Sequence, residues 1–485
     1  MEIKLPKLRS VDPNKPKKKK ILLLSDDMRL HSGVGTVSKN LVFGTVDRYD
    51  WVQLGGAVKH PDNGKLLDIS DQVKTETGVD DADVKIYPCS GYGTQEIVRH
   101  IISQEKPDAI IHFTDPRFWQ WLYQMEHEIR QTIPLGYLNI WDDLPYPHWN
   151  EPFYDSCDLL MAISKQTYNI NFNVCQKNPR RKGIDLTYVQ HGIPTDEYYP
   201  IGKDHPEFNE LIKFEHQIFG GVTPGFVVMY NSRNIRRKST SDLMLAYKLF
   251  CDRLTKEQAN ECYLLLHTNK VDDAGTDLGA VKDALLPDYN VIFSEAKLTT
   301  KQLNYLYNMS DLGANISSAE GFGLSCMESI MTGTPVLVNC IGGLQDQVGI
   351  IKDDGKYVEL EDYNSDWPSN SNGRYKNHGE WSFVVWPQIN LQGSPLTPYI
   401  YDSRCNIPDV TDQIEKAYRL GVDELKTRGM KGRDWAIENG FTAKEMCNAF
   451  ERSIESCWKH WKPRKRFTLI DSQKPKPKYP VGHNF

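Results

Sequence analysis

Short apolar runs alternate with amphipathic stretches along most of the 485-residue chain. The apolar runs predict strands at 20–25, 50–54, 84–87, 108–113, 134–139, 158–162 and 186–189. A second series falls at 226–231, 262–267, 290–293, 311–315 and 335–338. Helical spacing covers 35–44, 92–104, 116–130, 164–174, 239–253, 299–308, 324–332, 409–420 and 442–461. Strands alternating with helices imply parallel sheets covered on both faces, and the two series predict an α/β fold of two Rossmann-like, doubly wound halves facing a cleft.

The rhythm pauses at 194–225, where Pro194, Pro200, Pro206, Gly220, Gly221 and Pro224 leave no strong period. The expected organisation is a basic arm at 1–18, a first domain at 19–200, a hinge at 201–225, a second domain at 226–450, and a crossover helix with a basic tail at 451–485. Within the second domain, 352–405 is rich in Asn, Ser, Gly, Asp and Tyr and longer than a routine connection. It is expected to be an acceptor-facing insertion or a partly disordered loop.

Composition narrows the setting. Uninterrupted apolar stretches such as Ile21–Leu24 fall far short of the ~20 residues that span a bilayer. The first residues have charge but no apolar segment of the signal-peptide kind, and the ten cysteines include no CxxC pair. The expectation is a cytoplasmic protein without a disulfide framework or structural zinc. The net charge of −6 is unevenly spread: residues 1–20 carry +6 and residues 459–478 carry +7, leaving −19 for the rest. Two basic ends flank an acidic body, either as solvated tails or as arms that touch a polyanion.

The strongest chemistry lies in SSAEGFGLSCME (317–328), followed by SIMTGTPV (329–336). The segment follows a strand and opens a helix, so Gly321 and Gly323 let the backbone approach a ligand while free amides of the first helical turn face it. Unsatisfied donors at a positive helix end suit a diphosphate. Glu320 lies before the turn and Glu328 two helical turns later, so one carboxylate can face a sugar and the other a ribose.

Glu320, seven residues, then Glu328, with GFGL between and TGTPV after, resembles the signature of retaining GT-B glycosyltransferases, in particular glycosyltransferase family 4. The resemblance implies that Glu320 contacts the donor sugar, that the backbone of Gly321, Phe322, Gly323 and Leu324 contacts sugar and phosphate, and that Glu328 holds the ribose. Asn231–Ser239 resembles the family's basic segment, with Arg233 and Lys238 gripping the donor diphosphate and Arg236 and Arg237 competing for the register. Two fixed cations beside a leaving diphosphate supply preorganised electrostatic stabilisation. HSGVGT (31–36), with Gly33 and Gly35, resembles the family's first Gly-rich loop across the cleft. It is not the dinucleotide GxGxxG, so no nicotinamide is implied. Cys157–Lys165 and Val189–Asp196 resemble the closing strands and turn of the family's first domain, with His191 where Asn is usual, and are expected to be structural.

The chain departs from the family after the strand at 134–139, with Asn139–Trp149 reading NIWDDLPYPHW. Loops at the carboxyl edge of a parallel sheet bind ligands. Asp142 or Asp143 is expected to orient or deprotonate an acceptor hydroxyl, Trp141 or Trp149 to stack on a sugar or base, and His148 to do either. Alternatively Asp143 caps a helix and the aromatics form a packed lid. His112 and Asp115 are weaker candidates.

The runs KKILLLSDDMR (19–29) and YDWVQLGGAVKHP (49–61) resemble a subgroup of family-4-like enzymes from tailed phages related to the T-even group. That resemblance implies transfer of glucose or arabinose to 5-hydroxymethylcytosine in DNA, with the basic ends and Arg180, Arg181 and Lys182 on the phosphates. The expected donor is a UDP-sugar, with no metal or further cofactor required. The competing expectations are a transferase acting on a lipid-linked or soluble saccharide, with 455–467 as a membrane-facing amphipathic segment, and a catalytically silent binder of sugar nucleotides or nucleic acid.

Overall fold

A computed structural model describes residues 17–57, 62–176, 183–363 and 373–465. The first half builds β1 (Lys19–Asp26), β2 (Tyr49–Gly56), β3 (Leu67–Asp68), β4 (Val84–Pro88), β5 (Ala109–Phe113), β6 (Leu135–Asn139), β7 (Leu159–Ala162) and β8 (Asp185–Tyr188). They form one sheet in the order β3-β4-β2-β1-β5-β6-β7-β8, parallel except for the short β3–β4 pairing. The second half adds β9 (Phe226–Asn231), β10 (Cys262–His267), β11 (Val291–Phe293), β12 (Leu312–Asn315), β13 (Val336–Asn339) and β14 (Ser382–Val385) in a six-stranded parallel sheet, β11-β10-β9-β12-β13-β14. A separate antiparallel hairpin, β15 (Gln388–Ser394) and β16 (Thr397–Arg404), follows.

The continuous apolar strands follow from burial on both faces. In β1, Ile21 and Leu23 enter one core while Leu22 and Leu24 enter another, all four fully buried. In β9, Val227 and Met229 face the first of these cores, and Phe226, Val228 and Tyr230 face a third. Every residue of such a strand removes apolar area from water, worth ~1.5–3 kcal/mol for each large side chain.

The chain crosses back after the second sheet. The helix Ala443–His460 is capped by Thr442, whose hydroxyl accepts from the Glu445 amide, and buries Met446, Phe450, Ile454 and Cys457 against the first half. The crossing is tight: a Cβ on Gly192 would lie 2.0 Å from the Thr442 carbonyl oxygen, and the Ile193 and Ala443 amides bond across it. The helix ends along the amino edge of the first sheet. There Lys19 Nζ lies 3.1 Å from Glu455 and 3.7 Å over the Trp458 ring, Trp458 donates to the Asp108 carbonyl, and the Arg464 amide donates to Arg130. The described ends of the two basic segments therefore meet at one edge.

Several elements differ from the sequence expectation. Within 201–225 a helix forms over Phe208–Ile218, its Phe214 ring packing near Tyr305. The segment 352–405 is neither a single loop nor unstructured throughout its described part, since it supplies β14, β15 and β16. The helix expected over 116–130 is broken into Pro116–Trp119, Gln120–Gln124 and Glu126–Ile129. The helix Val422–Glu438 was not anticipated; Gly429 and Gly432 on it let Gly333 and Trp381 approach closely. Residues 1–16, 466–485 and the cluster Arg180, Arg181 and Lys182 lie outside the described residues. None of the ten cysteines is joined in a disulfide, and among the described residues no helix is long and apolar enough to cross a membrane.

Candidate functional site

The carboxyl ends of both sheets converge on one cleft of about 380 Å³, lined from the first half by Gly33, Trp141, Asp142, Asp143 and His191 and from the second by Arg237, Gly321 and Leu324. The turn after β9 and the turn after β12 build its floor. They are zipped together: the Ser318 amide donates to the Arg237 carbonyl at 2.7 Å and Arg237 Nη1 to the Ala319 carbonyl at 2.6 Å. The chain then passes through Ser239 at φ 53°, a left-handed conformation that costs a non-glycine residue ~1 kcal/mol, and enters the helix Thr240–Cys251.

This zipper puts Lys238 and Glu320 in direct contact as a buried ion pair, with Arg237 3.9 Å from the same carboxylate and Ser317 Oγ at 3.3 Å. Burial disfavours the Glu320 anion, but Lys238 and Arg237 more than offset it and hold its pKa below the ordinary glutamate value. Burial lowers the Lys238 pKa, and the Glu320 charge restores part of that loss.

Gly323, at φ 90°, turns the chain into the helix Leu324–Met331, and Gly33 sits across the cleft, where an added Cβ would be 3.5 Å from Leu324. Gly35 has a different job: its amide is capped by Ser32, and the Leu30 carbonyl lies 2.5 Å from where a Cβ would be. Glu328 accepts from Tyr307 at 2.6 Å, and burial pushes its carboxyl up to about 7, with hydrogen bonds from Tyr307 and Tyr198 acting the other way.

Asp142 and Asp143 enter from the loop after β6. Burial raises Asp142 to about 6, with Glu320 adding to the rise and Arg237 opposing it. Burial and then the neighbouring Asp142 charge hold Asp143 well above the ordinary range. Trp141 is fixed by its Nε1 donating to the Asp143 carbonyl, Trp141 and Trp149 meet edge-on at 5.8 Å, and the Arg117 guanidinium lies 5.7 Å over Trp141.

The other sequence candidates are placed differently. Arg233 is 67% exposed and forked onto Asp272 at 2.7 and 3.0 Å, because Asn234, bonded to the carbonyls of Asn269, Lys270 and Thr276, fastens this segment to the 270–276 loop. Arg237, not Arg233, stands beside Glu320. His112 is a core residue, neutral through burial at about 3 and bonded to Tyr123; Asp115 is occupied by Arg117. His191 is also buried and neutral at about 3, between Phe113 and Phe322 in the cleft wall.

Three features escaped sequence reading. Gly342 and Gly343 form a saddle under the site: Cβ atoms there would lie 2.1 Å from the Glu320 carbonyl oxygen and 2.2 Å from that of Gly321, and the Gly343 amide donates to Glu320. The Gly-Gly pair shortly after β13, past Cys340 and Ile341, was the available signal. Gln166 reaches the Asp142 carbonyl and accepts from Gln345, tying the two halves together. The hairpin brings Thr397 and Ile400 into the cleft from a segment with no strong pattern.

Two doubly wound sheets facing a cleft, with the Gly-rich turn of the second sheet opposite that of the first, define a GT-B fold. Comparison with solved structures agrees. Sucrose-phosphate synthase from Thermosynechococcus elongatus superposes with a TM-score of 0.63 at 14% identity, over 91% of this chain and 100% of that one. HepE from Anabaena, in complex with UDP and glucose, gives 0.61 at 14% identity, over 90% and 100%. A glycosyltransferase from Rickettsia africae gives 0.59 at 15% identity, over 91% and 99%. At these identities the likeness is one of fold. No protein-family model and no curated protein matches the sequence.

Proposed function

We propose that the protein is a retaining glycosyltransferase, resembling family 4, that moves a glucosyl or arabinosyl group from a UDP-sugar to 5-hydroxymethylcytosine in DNA. The observation that carries the reading is the buried Lys238–Glu320 pair with Arg237 beside it: Arg237, Gly321 and Leu324 line one cleft with Asp142, and Glu320 shares a small second pocket with Asp142. An ionised Glu320 accepts hydrogen bonds from sugar hydroxyls, while Lys238, Arg237 and the amides at the start of the Leu324–Met331 helix stabilise charge on a departing diphosphate. The bond from the anomeric carbon to the diphosphate oxygen breaks, and the acceptor oxygen bonds to that carbon on the same face. The acceptor proton passes to the departing diphosphate. Ionised Asp142 orients the acceptor hydroxyl by accepting its hydrogen bond. The Anabaena HepE complexes with UDP and with UDP-glucose support the choice of donor.

Support for DNA comes from the resemblance of 19–29 and 49–61 to the phage subgroup and from the meeting of the described ends of the two basic segments at one edge. A membrane-facing terminal helix finds less support, since the apolar face of Ala443–His460 is already packed on the first half. The test is to incubate the chain with UDP-glucose or UDP-arabinose and DNA containing 5-hydroxymethylcytosine, digest to nucleosides, and measure masses beside an unmodified-cytosine control. The expected result is a hexose or pentose increment on the modified base alone, lost by ~10²–10³-fold in Glu320→Ala and Lys238→Ala. An increment on neither DNA, or undiminished turnover in both variants, defeats the proposal.

A further inference from the structure

The hairpin β15–β16 belongs by chain order to the second half but completes a surface of the first. Its base is anchored at home: Asn339 Nδ2 donates to the Ser403 carbonyl at 2.7 Å, and Arg404 pairs with Asp242 at 2.6 Å. Strand β16 then crosses to the other half. The Tyr401 amide donates to the Leu144 carbonyl at 2.8 Å, the Tyr399 ring meets Trp149 edge-on at 4.5 Å, and Arg117 Nη1 reaches Thr397 Oγ1 at 3.5 Å. Leu144 and Trp149 belong to the loop that carries Asp142 and Asp143, so the hairpin braces the acceptor-side loop itself. Thr397 and Ile400 thereby become wall residues of the same cleft as Asp142, Arg237 and Gly321.

The chemistry of that wall is restricted. On the side made by the hairpin with Arg117 and Trp141 the polar groups are engaged: Arg117 is forked onto Asp115, the Thr397 hydroxyl accepts from Arg117, and Trp141 Nε1 is spent on the Asp143 carbonyl. What Ile400 and Trp141 add is apolar and aromatic area. Asp142, Asp143 and Arg237 offer partners to one hydroxyl beside the ring, whereas the further hydroxyls of a polyhydroxylated acceptor laid against Ile400 and Trp141 would lose water there, which costs more than the contact returns. A ring with flat, weakly polar faces needs only area and stacking.

We propose that the hairpin is an acceptor-recognition element, in which Thr397 and Ile400, with Trp141, select an acceptor presenting a flat, weakly polar ring beside its hydroxyl. This rests on the glycosyl-transfer reading above. Ile400 is a specificity-determining residue rather than a catalytic one. The outer strand β15 takes no part in the wall; Leu391 on it is 66% exposed.

Steady-state kinetics of the full chain test it, with UDP-glucose or UDP-arabinose as donor, 5-hydroxymethylcytosine DNA as the flat-ring acceptor and maltose as the polyhydroxylated one. Ile400→Ala is expected to raise the DNA acceptor KM about tenfold, the range for trimming a hydrophobic pocket, and at least three times more than it raises the donor KM. Ile400→Val is expected to restore most of the difference. Equal rises in both KM values, an unchanged acceptor KM, or a parent chain that prefers maltose overturns the inference while leaving glycosyl transfer standing. A parent chain that releases no UDP with either acceptor overturns the transfer reading and this inference together.

Discussion

At the level of single residues, the site is a cluster of carboxylates whose pKa values are set apart by their surroundings. Glu320 is ionised because two cations adjoin it, whereas burial holds Asp142 at about 6. If ionised Asp142 orients the acceptor, kcat/KM for the acceptor falls tenfold per pH unit below about 6 and is level above it, and Asp142→Asn loses that limb. A parent profile flat from pH 5 to 8 would rule Asp142 out. The same group links pH to stability. Its pKa is raised on folding, so the folded state binds the extra proton, and the stability it contributes below about pH 4 is lost as the pH rises through about 6. Sequence reading singled out Glu320, Lys238 and the Asp142–Asp143 pair because each sits beside a local signature at a strand end. It placed the second cation at Arg233, since four basic residues within six positions leave the register open, and only the grip of Asp272 and Asn234 turns Arg233 outward and leaves Arg237 at the carboxylate.

Among the elements, the turns rather than the strands and helices do the positioning. The Gly342–Gly343 turn is wedged beneath the Glu320–Gly321 carbonyls with no room for a side chain, and the site where a Gly342 Cβ would stand is 3.5 Å from Asp142 Cβ. Gly342→Ala is therefore expected to displace both the Glu320–Gly321 turn and the Asp142 loop, lowering the kcat/KM of the proposed transfer at least tenfold with a loss of stability of ~1–3 kcal/mol. Normal turnover with a normal melting temperature would show that the saddle is not a constraint. Most strands and helices were legible from apolar periodicity, because a strand buried on both faces has to be apolar throughout. The hairpin was not, since β15 is largely exposed and its residues carry no period that distinguishes them from a loop.

Over the whole molecule, charge is segregated. The described ends of the two basic segments meet at the amino edge of the first sheet, about 25 Å along β1 from the cleft at the opposite edge. Among the described residues Lys18, Lys19, Lys20 and Arg464 are paired with Asp81, Glu455, Glu105 and Asp158, whereas Lys17, Lys459, Lys462 and Lys465 make no ion pair. If this edge holds DNA, affinity falls linearly with salt on logarithmic axes, and replacing Lys459, Lys462 and Lys465 by Gln reduces the slope by about 0.9 for each phosphate that is no longer neutralised. A slope indifferent to these substitutions would confine DNA binding to the cleft.

The sequence by itself determined two parallel-sheet halves, the Gly-rich turns at their carboxyl edges, and the carboxylates and lysine that face one another there. Each of these depends on local pattern: apolar runs, turn glycines and charged residues at strand ends. Tertiary structure decided which arginine joins Glu320, where Glu328 and the two histidines stand, and how the hairpin and the Gly342–Gly343 saddle close the cleft. Those outcomes depend on contacts between residues from tens to several hundred positions apart, and no local spacing encodes them.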